Sequence, residues 1–99
     1  MRDKLENLIG AYEELERKLG DPEVVSDQAE YTRLAREHSQ QADIVSAARE
    51  FIGSQDDLEA AKELLHAEDD TDTKQMLQDE IDSIESRIEE LEADIKFML

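Results

Sequence analysis

Seven apolar residues, Leu77, Ile81, Ile84, Ile88, Leu91, Ile95 and Met98, recur at alternating steps of four and three near the end of the chain. A helix returns a side chain to one face every three to four residues and a strand every two, so this spacing predicts a helix. Its persistence over three heptads marks the seam of a coiled coil. A seam of this kind is stable only against another apolar stripe, supplied by the same chain or by a second one.

Complementary stripes lie upstream. Leu5, Leu8, Tyr12, Leu15 and Leu19 form one, predicting a first helix over residues 2–19. Gly20 follows at the place where a left-handed residue closes a helix, and Pro22 cannot continue it. Asp27, with Glu30 three positions on, reads as an N-cap and its reciprocal partner, and Ser26 competes for the same role. Beyond it Tyr31, Leu34, His38, Ala42, Val45, Ala48, Ile52, Leu58, Ala61 and Leu65 continue as one stripe, predicting a second helix over 27–67. Gly53, which costs about 1 kcal/mol inside a helix, and Ser54 mark the place where it would bend. Ala42, Ala47 and Ala48 serve either a close helix approach or plain helix propensity. The acidic string AEDDTDT then breaks the pattern, with Asp70 or Asp72 available to cap a third helix over 71–98. The expected fold is all-α: a single domain over 1–99, built as an elongated three-helix bundle. Helices two and three form a long antiparallel coiled-coil hairpin, and helix one folds back along the base of helix two.

Charge narrows the function. Although 39% of the residues are charged and only 4% aromatic, a composition close to that of disordered chains, the helical period argues for a folded one. Against 28 Asp and Glu stand 11 Lys and Arg, a formal charge of −17, which repels nucleic acid and anionic membranes. The excess is uneven: residues 51–99 carry 16 acids and 4 bases, residues 1–50 carry 12 and 7. Partners are therefore expected to be proteins, and basic ones. Without cysteine there are no disulfides, thiol nucleophiles or thiolate metal sites, and no apolar run approaches the ~18 residues of a membrane span. A cytoplasmic location is the expectation.

No residue set suggests catalysis. His38 and His66 share no HExxH pattern; His38 lies on an apolar stripe as a core or boundary residue, and His66 meets the negative end of helix two. Glu68, Asp70 and Asp72 resemble the start of a calcium loop, but Thr73 replaces its glycine and no bidentate Glu follows in register. Isolated Gly10, Gly20 and Gly53 form no phosphate cradle. Catalytic, cofactor-binding and metal residues are each expected to be none. The apolar ending IKFML, without a polar cap, suggests one piece of a longer protein.

The stretch GDPEVVSD with the following YTRLAREHSQ resembles the amino-terminal domain of bacterial class-one peptide chain release factors, and the likeness continues through DDLEAAKELL and the acidic heptads. It is closer to the type reading UAA and UAG than to the UGA-reading paralogue, which typically carries an aromatic residue where this chain has Val25 and Ser26. The resemblance implies a non-catalytic interaction domain of a cytoplasmic translation termination factor. In that family other domains read the stop codon and present a Gly-Gly-Gln loop for peptidyl-tRNA hydrolysis. This chain has neither a Gly-Gly dipeptide nor a Pro-x-Thr, so those roles transfer to no residue here. It further implies contact with the stalk-base protein of the large ribosomal subunit and with the class-two, GTP-binding release factor, by a monomer that makes no sequence-specific nucleic-acid contact of its own. Candidate contacts are Glu68, Asp69, Asp70 and Asp72 at the hairpin tip. The competing expectation is a generic coiled coil that homodimerises through helix three; a transfer-RNA-binding arm ranks last because it should be basic.

Overall fold

The computed structural model describes every residue, Met1–Leu99, and contains helices only: α1 (Arg2–Leu19), α2 (Pro22–Val25), α3 (Gln28–Ala67) and α4 (Thr71–Met98). The chain divides into two compact units, Met1–Ala48 and Arg49–Leu99.

In the first unit α1 lies antiparallel to residues 28–48 of α3, with the Tyr12 ring stacked on His38 at a centroid separation of 4.2 Å. Its buried apolar residues are Leu5, Leu15, Leu34, Ile44, Val45 and Ala48. Tyr31, expected on the stripe, is 40% exposed.

The connection between α1 and α3 differs from expectation in a way that explains its chemistry. Gly20 is right-handed, with φ −93° and ψ −5°, so its freedom to adopt a positive φ is not what ends α1. The stop comes from Asp21 and Pro22: Asp21 turns extended and its carboxylate accepts from the Glu23 N–H at 3.0 Å, capping the short helix α2 with proline in its first turn. Asp27 then caps α3, accepting from the Glu30 N–H at 3.2 Å. The reciprocal half of that box is not made. The Asp27 N–H already donates to the Val24 carbonyl, leaving the Glu30 carboxylate to pair with Arg33. Ser26, the rival cap, donates instead to the Glu23 carbonyl.

The second unit is a helical hairpin of residues 49–67 of α3 and α4. Along the seam Ile81, Leu91 and Ile95 are buried, Leu77, Ile84 and Ile88 half-buried, and Met98 exposed. A single partner helix covers one flank of each seam residue and leaves the other open, which accounts for the grading. On α3 the buried residues are Phe51 and Ala61; Phe51 is 3% exposed and takes the central place expected for Ile52, which is half-buried. Burying a side chain of this size contributes about 1.5–3 kcal/mol. Register is marked by Arg87, whose Nε and Nη2 donate to the two Glu50 carboxylate oxygens at 2.6 and 2.8 Å across the hairpin. This pair holds the Glu50 carboxyl below its usual range, first through the hydrogen bond to Arg87. Both partners are about half exposed, so the pair orients the helices more than it stabilises them.

α3 is continuous through Gly53, and a Cβ built there meets nothing within 4 Å. Gly53→Ala is therefore expected to raise unfolding free energy by about 0.5–1 kcal/mol. Leu91→Ala, which empties a buried seam position, should lower it by about 2–5 kcal/mol. Urea unfolding of both variants checks the pair; similar midpoints would show that the seam is not where burial is concentrated.

Candidate protein-interaction site

Residues 68–70 join α3 to α4, and here the four candidate acids come together. They are not equivalent. The Glu68 carboxylate folds back onto the backbone, accepting from the Asp69 and Asp70 N–H groups at 3.1 and 2.9 Å. Asp70 is extended, with φ −74° and ψ 126°, and its Oδ2 accepts from the Thr73 N–H at 2.9 Å and the Thr73 hydroxyl at 2.8 Å. Between the two caps expected from sequence, Asp70 rather than Asp72 is therefore used. Its carboxyl titrates below the usual aspartate range, chiefly because the Thr73 backbone N–H, and then the Thr73 hydroxyl, bond the ionised form. Asp72 lies in the first turn of α4, where a negative charge meets the exposed amides of the helix start.

The tip thus separates by bonding rather than by exposure: the carboxylates of Glu68 and Asp70, the latter itself exposed, build the turn, while exposed Asp69 and Asp72 cap nothing. A carboxylate with one oxygen engaged by the turn's own donors, as Oε1 of Glu68 and Oδ2 of Asp70 are, is less free to meet a partner than one without such bonds. Asp69 and Asp72 present charge on a turn hydrogen-bonded by the other two.

The histidines are separate. His38 is 26% exposed at its side chain, and its Nε2 lies 3.9 Å from a Glu16 carboxylate oxygen. That atom is buried without a hydrogen bond, which agrees with a boundary residue of the first unit. His66 is exposed in the last turn of α3. No group of three or more His, Asp or Glu is placed to hold a metal ion, and no helix is long and apolar enough to cross a membrane.

One surface escaped the sequence reading. Leu58 and Ile88, both half-buried, floor an open trough of about 790 Å³ in the second unit, with Gln55, Glu59, Lys62, Glu63 and His66 around them. The signal was present in the spacing of Gln55, Glu59 and Lys62, which follow one side of the α3 stripe, but only the partner helix shows that Ile88 completes a floor.

The PCRF domain family matches residues 8–99. The chain belongs to that family. Among curated relatives, peptide chain release factor 1 of Clostridium tetani is 35% identical over 99 residues, covering 100% of this chain and 28% of the relative. The same-named protein of Lactococcus lactis subsp. lactis is 39% identical over 100 residues, again covering 100% of this chain and 28% of the relative. That of Geobacter sulfurreducens is 38% identical over 99 residues, covering 100% and 27%. The PCRF domain seen here therefore spans little more than a quarter of those relatives. No solved structure gives a significant match. The likeness to class-one release factors read from GDPEVVSD and YTRLAREHSQ is thereby established at the level of the family.

The cap generates a pH-dependent prediction. Asp70 is depressed in the folded state, so its contribution is present above the ordinary aspartate value of 3.8 and disappears as pH falls through its lower folded value. Asp70→Asn should lower the melting midpoint at neutral pH, and the gap from the natural chain should close below pH 3.8. Circular-dichroism melts of both proteins across that range check it; a gap that stays constant would show that the charge of Asp70 is immaterial.

Proposed function

We propose that this PCRF domain is the non-catalytic interaction module of a translation termination factor of the UAA- and UAG-reading type. Its ribosomal docking and recycling depend on it, while codon reading and peptidyl-tRNA hydrolysis belong to the rest of such a factor. The observation that carries this reading is the match of the whole chain to proteins named peptide chain release factor 1, of which it covers about 28%.

The partners we assign are the basic stalk-base protein of the large ribosomal subunit and the class-two GTP-binding release factor, met by a monomer in the cytoplasm. Charge supports this assignment: an acidic hairpin is steered toward a basic protein and away from bare RNA. Asp69 and Asp72 make the contact, and Glu68 and Asp70 hold the turn that presents them. Affinity is modest and falls with salt, because rim charges act mainly on encounter.

Two rates measured on the same stop-programmed ribosomes test the proposal. The 99-residue chain alone should release no peptide. A release factor lacking this domain should keep most codon-dependent hydrolysis but lose GTPase-dependent recycling. Loss of hydrolysis with normal recycling would overturn the reading and assign the domain to catalysis.

A further inference from the structure

The trough floored by Leu58 and Ile88 has a composition that restricts what can occupy it. Its floor is apolar, and its exposed rim on α3 carries Glu59 and Glu63 against Lys62. On α4, Glu85, Glu89 and Glu92 lie within about a turn of Ile88, Glu92 being paired with Lys96 at 3.1 Å. The one cation there, Arg87, is already committed to Glu50 and Glu90 at 2.6 and 3.1 Å. The surroundings of the floor are therefore negative. An anionic ligand or nucleic acid meets repulsion, and so does a second copy of a chain carrying −17. The volume of about 790 Å³ is within the range of small-molecule pockets, but such pockets enclose most of their ligand and this one is an open trough along two helices.

From these observations we infer that the trough docks a basic amphipathic helix of a partner protein. Apolar side chains at i and i+4 of that helix rest on Leu58 and Ile88, and its Lys or Arg residues face Glu59 and Glu63. This is the helix-in-groove mode, in which the apolar anchors supply affinity and the flanking charges set orientation. The inference rests on the proposed role as an interaction domain and adds a second contact surface to the tip, distinct from Asp69 and Asp72.

The test uses the isotope-labelled 99-residue chain and a synthetic helical peptide with leucines at i and i+4 and lysines elsewhere. Amide shifts should be confined to residues 55–66 and to the turn around Ile88. Exposed Glu59→Lys with Glu63→Lys, which leaves the buried seam intact, should weaken binding at least tenfold. A scrambled peptide of the same composition, unable to line up its leucines, should also bind at least tenfold more weakly. Equal binding of the scrambled peptide, or shifts spread over every acidic face, would sink the inference, since general charge attraction then suffices. Shifts at the same amides on concentrating the protein without peptide would also overturn it, by giving the trough to a second copy. Failure here leaves the recycling defect of the domain-deleted factor untouched, whereas normal recycling by that factor leaves the peptide titration standing, so the two proposals fail separately.

Discussion

A narrow line of apolar contact holds this chain against its own charge. Eleven buried residues, all of them apolar, form the core, and no polar or charged residue is buried with them. Around that core stand 28 acids and 11 bases. Every one of the ion pairs involving Arg87, Arg33 and Lys96 is substantially exposed, so none of them offsets the excess strongly. Burial of the stripes is the term that remains. The positions of Leu91, Ile95, Val45 and Ala48 therefore determine which helix faces meet, and the acids are left on whatever surface the stripes do not use.

That division links fold to role. Because the hairpin covers only one flank of the seam, the rest of its surface is mainly acidic, interrupted by the trough at Leu58 and Ile88. The tip is specialised within itself. Glu68 and Asp70 satisfy backbone amides that a sharp reversal would otherwise leave exposed, and this frees the neighbouring Asp69 and Asp72 to carry charge without also having to hold the turn.

Much of the helical content was legible because a period of three and four survives any tertiary context. The all-α class and the seam residues Ile81, Leu91 and Ile95 follow from spacing, whereas the caps were narrowed only to Asp27 or Ser26 and to Asp70 or Asp72, of which the structure uses Asp27 and Asp70. What spacing could not resolve was local competition between equivalent groups. Gly20 looked like a left-handed terminus, but it stays right-handed, and the chain breaks one residue later, where extended Asp21 caps α2 with Pro22 in its first turn. Phe51 and Ile52 are adjacent apolar residues on one turn, and only the position of the facing helix makes Phe51 the buried one. The four tip acids were grouped as candidate contacts because composition does not show which carboxylates accept from the turn's own backbone. The trough was invisible for a related reason: Leu58 and Ile88 are far apart in sequence and each read simply as a stripe residue.

The opposition between seam and charge is open to one direct measurement, the thermal midpoint of the isolated chain followed by circular dichroism in low and in moderate sodium chloride. Screening shortens the range of repulsion to a Debye length of about 8 Å at physiological ionic strength and leaves apolar burial in place. The midpoint should therefore rise with salt. A midpoint that stays level or falls would contradict the claim that the buried stripes work against the net charge.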